Sequence, residues 1–135
     1  MNVTVTGPGG EFIGLEEETD FRPIARTLGK VKTFPAEEVI FREGDASRYM
    51  YVVLKGKVEV SAKRKVIETV QEGQALGILS LLDKSPRRIT ARAVEPCELA
   101  LLDEKRFGAM VEQEPNFIWF VMEELGSLPR AATAL

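Results

Sequence analysis

Histidine is missing from this 135-residue chain, and cysteine occurs once, as Cys97. Without imidazole there is no Ser-His-Asp or Cys-His nucleophile system and no histidine-ligated zinc, iron or copper. No side chain of ordinary pKa titrates near neutrality either. One thiol excludes an intrachain disulfide, a CxxC pair and a thiolate metal cluster, and it is compatible with a reducing compartment. Positive charge is in short supply: 18 Lys+Arg stand against 21 Asp+Glu, a net charge of −3 that argues against nucleic acid as a partner. No apolar run approaches the ~20 residues of a membrane-spanning helix. The N-terminus lacks a basic stretch leading into an apolar one, so no signal peptide and no membrane partner are expected. What is present is ordinary, at 44% apolar and 29% charged residues. The length falls in the ~100–150-residue range of a single domain. A cytoplasmic domain with no metal and no cofactor is expected.

Residues 1–14 read as a flexible lead, broken by Gly7-Pro8-Gly9-Gly10. Residues 15–29 read as a helical segment, with Thr19 or Asp20 a candidate N-cap, Pro23 near the start and Gly29 a stop. From 30 to 103 the texture is short strands. Glu38–Arg42 puts Val39 and Phe41 on one face and Ile40 on the other, Tyr49–Lys55 is a β-rich run, and Lys57–Ser61 alternates polar and apolar. Roughly seven strands at ~8–12-residue spacing indicate a sandwich or barrel rather than alternating β and α units. Leu76–Asp83 breaks the rhythm and favours a short helix. Residues 104–126 read as two helices split at Pro115, and 127–135 as a tail. The expected fold class is mainly β with flanking helices.

The informative stretch runs from Gly73 to Ala91. It supplies a glycine, a short helix and then Lys84, Arg87, Arg88 and Arg92 with no acid in residues 84–92. Free N–H groups at a helix start attract anions, and an arginine facing them closes such a site with bidentate hydrogen bonds. A solvated basic loop after a buried turn gives the same pattern, and both readings stay open. Paired acids occur at Glu16-Glu17-Glu18, Glu37-Glu38 and Glu123-Glu124. They read as solvated helix ends and turns and define no reaction, so the chain does not read as an enzyme.

From Leu28 to Leu125 the sequence resembles the cyclic-nucleotide-binding domains of catabolite-activator-type regulators, cyclic-AMP-dependent kinase regulatory subunits and cyclic-nucleotide-gated channels. Phe34–Asp45 is similar to that family's first strand pair, and Tyr51–Val60 to its hairpin. Gly44, Gly56 and Gly73 fall at its turn glycines, and Cys97–Asp103 followed by Phe107 matches its last strand. Leu76–Leu82 and Pro86–Thr90 resemble the two halves of its phosphate-binding cassette, which spans 76–91. The resemblance implies a double-stranded β-helix, a jelly-roll-like β-roll, acting as a regulatory sensor of bacterial type.

The resemblance further implies that cyclic AMP or cyclic GMP is the ligand. Gly77, Ile78, Leu79, Ser80, Arg87, Arg88 and Thr90 would form the site, with Arg87 on the cyclic phosphate and the Ser80 and Arg88 N–H groups on its oxygens. Ile78 stands where the family has the glutamate that accepts from the ribose 2′-hydroxyl. An unsatisfied buried hydroxyl costs roughly 1–3 kcal/mol, a ten- to hundredfold loss of affinity. Ile78→Glu is therefore expected to strengthen binding. Arg88 stands where many members have a small residue or a Thr/Ser that helps to choose the base. The alternatives are a degenerate module that works through protein contacts, and another ligand such as a cyclic dinucleotide. In the last helix Phe117, Ile118, Val121, Met122 and Leu125 are the expected inward stripe. Trp119 and Phe120 are candidates to cover a base or to contact an effector protein or a second copy.

Overall fold

The unbroken apolar run Met50–Leu54 sets the architecture, because a strand without alternation must be covered on both faces. The computed structural model describes residues 20–126. The expected lead, residues 15–19 with Thr19, and the 127–135 tail lie outside the described residues. In chain order the first half holds α1 (Arg22–Leu28), β1 (Lys30–Phe34), β2 (Val39–Phe41), β3 (Met50–Lys55), β4 (Val58–Ala62) and β5 (Lys65–Val70). The second half holds β6 (Ala75–Leu76), α2 (Ile78–Asp83), β7 (Thr90–Ala93), β8 (Cys97–Leu102), α3 (Glu104–Gln113) and α4 (Phe117–Gly126). Two four-stranded antiparallel sheets, ordered β1-β8-β3-β6 and β2-β7-β4-β5, face one another as a β-roll.

Two apolar clusters follow from the strand period. Tyr51, Val53, Leu99 and Leu101 point between the sheets, where they meet Phe34, Phe41, Val58, Val60 and Ala91. Met50, Val52, Leu54, Ala100 and Leu102 point the other way, under the helices. Both β3 and β8 are thus buried on two faces, whereas β4 buries only Val58 and Val60. Each such side chain contributes roughly 1.5–3 kcal/mol. The helix side is closed by Phe21, Ala25, Met110, Phe117 and Val121.

Several local readings are revised. The register of β2 shifts between Val39 and Phe41, so Ile40 packs against the same interior cluster as Phe41 instead of facing away. The backbone N-cap of α1 is Phe21, although the Asp20 carboxylate still accepts from the Arg22 N–H at 3.0 Å. The two-residue strand β6 was too short to show a period.

In α4 the inward residues are Phe117, Phe120, Val121 and Leu125, the i, i+3, i+4, i+8 stripe. Ile118 and Met122 are exposed at 38% and 58%, and Trp119 at 55%. The reason is aromatic. Phe21 lies 5.4 Å from Phe117 and 5.0 Å from Phe120, and Phe107 lies 5.6 Å from Phe117. A helix apolar nearly all round could not reveal that preference in its own sequence.

Candidate functional site

Arg87 stands apart from the exposed arginines of this molecule. Arg22, Arg26, Arg88, Arg92 and Arg106 each pair with a carboxylate at the surface. Hydrogen bonds donated to Asp20, Glu98 and Glu59 raise the pKa of Arg22, Arg26 and Arg92 respectively. Arg87 is the opposite case. It is 3% exposed and forms no ion pair among the described residues. Burial pushes its pKa down, against smaller opposing contributions from Tyr51 and Asp45. A guanidinium does not give up its proton, so burial leaves a desolvated cation with no directly paired carboxylate among the described residues.

Its nitrogens divide unequally. Nη1 donates to the Gly77 carbonyl at 3.2 Å and Nη2 donates to the Tyr49 carbonyl. Nε is buried with no hydrogen-bond partner. The guanidinium carbon lies 4.2 Å from the ring centroid of Phe41 and 5.6 Å from that of Tyr51. An unmatched buried donor edge on a permanent cation is a standing demand for an anion.

The backbone fixes this position. The Arg87 N–H donates to the Asp45 carbonyl at 2.9 Å, and the Gly44 N–H donates to the Arg87 carbonyl at 2.8 Å. The Thr90 hydroxyl accepts from the Glu43 N–H at 3.1 Å, tying the same loop to β7. Gly77 has φ +81°, and a Cβ there would stand 2.5 Å from Arg87 Nη1. Glycine is required at that position twice over, for its backbone and for the room it leaves.

The other cassette residues separate. Ser80 is fully buried and Leu79 half-buried. Arg88 is exposed, with Nη2 3.4 Å from Asp83 Oδ2, so its side chain leaves the site. Its N–H has no protein acceptor among the described residues. Ile78 is fully buried in the helix-side cluster with Met50, Ala75, Leu81 and Phe117, not in the inter-sheet cluster of Phe41 and Tyr51. Phe120 packs inward on Phe21 and Phe117, while Trp119 faces out. The aromatic faces of Phe41 and Tyr51 and the carbonyl of Tyr49 escaped the sequence reading, which took these residues only as strand formers.

The β-roll thus closes on one buried arginine beside a short helix. The chain belongs to the cyclic nucleotide-binding domain family, whose model matches residues 31–114. It is 34% identical over 101 residues to a cGMP-dependent protein kinase of Drosophila melanogaster, covering 75% of this chain and 9% of the kinase. It is 30% identical over 99 residues to a cAMP-dependent protein kinase regulatory subunit of Eremothecium gossypii, covering 73% of this chain and 22% of that subunit. The chain thus spans a minor part of these curated relatives. Among solved structures, the catabolite activator protein of Thermus thermophilus superposes with a TM-score of 0.72 at 26% identity, covering 82% of this chain and 54% of that one. No helix among the described residues is long and apolar enough to cross a membrane.

Proposed function

We propose that this chain is a non-enzymatic regulatory domain that binds a cyclic nucleotide, cyclic AMP or cyclic GMP, through its phosphate. The observation that carries this reading is Arg87: buried, and, among the described residues, without an ion-pair partner and with Nε unmatched. In the proposed complex the phosphate takes the Nε edge, the Arg88 and Ser80 N–H groups complete the anion contacts, and Gly77 lets the chain run close to the sugar. Leu79 and Thr90 belong to the wall of the site. Ile78 offers no acceptor to the ribose 2′-hydroxyl, so binding is weak by the standard of a site that reads that group.

Thermal unfolding tests this directly. At a dissociation constant of about 0.1 mM, 1 mM nucleotide raises Tm by roughly 5 °C. No shift with either nucleotide would move the reading to a degenerate module that works through protein contacts.

The output face in this proposal is the outer side of α4. Ile118, Trp119 and Met122 are exposed there, a set of large apolar side chains suited to an effector protein or a second copy. Sedimentation of the parent beside Trp119→Ala separates these. A dimer that the substitution dissociates identifies the second copy; a parent that is monomeric at high concentration removes it.

A further inference from the structure

The two sheets meet at the Arg87 guanidinium. Phe41 comes from β2 in one sheet and Tyr51 from β3 in the other, with ring centroids 5.5 Å apart and planes tilted by 32°. The guanidinium lies over the Phe41 face at 4.2 Å, the closer of the two. Phe41 is itself 6% exposed, and the register shift in β2 directs it inward. An aliphatic residue would fill that volume. It would not stabilise a cation, because only an aromatic ring presents a negative face.

A buried guanidinium with no anion has two ways to lower its energy. It can swing towards water, or it can stay and find partial substitutes for the charge it lacks. Here it stays. Two carbonyls take the terminal nitrogens, the Phe41 ring takes the flat face, the Tyr51 side chain adds a smaller favourable interaction, and Nε remains buried and unmatched among the described residues. The carbonyls fix the in-plane position of the group, and the ring fixes its plane.

We propose that Phe41 is a positioning residue for anion binding. Its ring face holds Arg87 in the ligand-free protein so that the Nε edge stands ready for the incoming phosphate. The inference rests on the reading of Arg87 as the anion-binding residue. Pre-positioning stabilises the complex by removing a cost of ordering, not by adding a contact to the ligand.

A double-mutant cycle of the parent, Phe41→Met, Arg87→Met and the double variant tests it, with Phe41→Tyr as the ring-keeping control. Three quantities are read: cyclic AMP affinity, unfolding free energy, and the Arg87 Nε–H resonance. In the parent that proton is expected upfield, shifted by the ring current, and in slow exchange. Phe41→Met is expected to return it to the ordinary arginine position and to weaken cyclic AMP binding about tenfold. Phe41→Tyr keeps both near the parent. The unfolding effect of Phe41→Met shrinks when Arg87 is already replaced. Additive unfolding energies with an unchanged Nε–H resonance would overturn the proposal, and so would parent-like affinity in Phe41→Met. If cyclic AMP does not bind the parent, the function proposed above fails. The resonance and the unfolding cycle then still decide whether Phe41 holds the cation. Should Phe41→Met not fold, Tyr51→Phe with Phe41→Leu provides the same comparison: the resonance must follow Phe41 and not Tyr51, and the reverse would overturn the proposal.

Discussion

Arg87→Met is expected to weaken cyclic nucleotide binding by about 100-fold or more while leaving the unfolding free energy within about 1 kcal/mol of the parent. The two halves of this result have different causes. Binding collapses because the substitution removes the permanent charge and the open Nε edge together. Stability survives because the parent already bears the cost of a buried cation that no carboxylate among the described residues pairs with directly, Asp45 acting only at longer range. Methionine has similar length, needs no desolvation and packs against the faces of Phe41 and Tyr51. Against that gain, the Tyr49 and Gly77 carbonyls lose their guanidinium donors; Gly77 keeps the Leu81 N–H, so the main debit is at Tyr49, about 1 kcal/mol. Denaturant unfolding and nucleotide titration on the same sample check both halves. A large loss of stability would mean that Arg87 is a structural post; unchanged binding would mean that the anion goes elsewhere.

Ile78→Glu is the second large effect, and its expected direction reverses the one that resemblance alone implies. The side chain at 78 is fully buried among Met50, Ala75, Leu81 and Phe117. A carboxyl group there finds an apolar surround, and desolvation raises its folded-state pKa far above the ordinary glutamate value of the unfolded chain, past neutrality. For an acid with a raised folded pKa, stability is unaffected by ionisation below the unfolded value and is lost as pH rises towards the folded one. The destabilisation is therefore about 4 kcal/mol at pH 7 and much smaller at pH 4. Nucleotide affinity does not improve. Unfolding curves at the two pH values check this. A stable variant that binds more tightly would show that position 78 reaches the ligand.

These two residues show how far the sequence could be read. Arg87 stood out because four basic residues without an acid crowd residues 84–92 of a chain that is acidic overall. Its burial without an ion pair among the described residues was not visible, since that depends on which carboxylates come within reach in space. Alternation identified β4 outright, and Tyr49–Lys55 was legible as a strand, though its burial on both faces appears only in the fold. Ile78 was placed by alignment to a glutamate position, but alignment carries no side-chain direction. The direction is set where β6 ends and Gly77, at φ +81°, turns the chain into α2. The same limit applied to α4. Six consecutive apolar residues, Phe117–Met122, leave the buried face undetermined until Phe21 and Phe107 supply aromatic partners. Phe41 and Tyr49 were read as strand formers, and only the fold brings their ring and carbonyl to Arg87.

Calorimetric titration of cyclic AMP into the parent chain, beside Arg87→Met, tests the central claim most directly. Saturable submillimolar binding to the parent that disappears in the variant is the predicted result. No heat with the parent, or equal binding by both proteins, would contradict it.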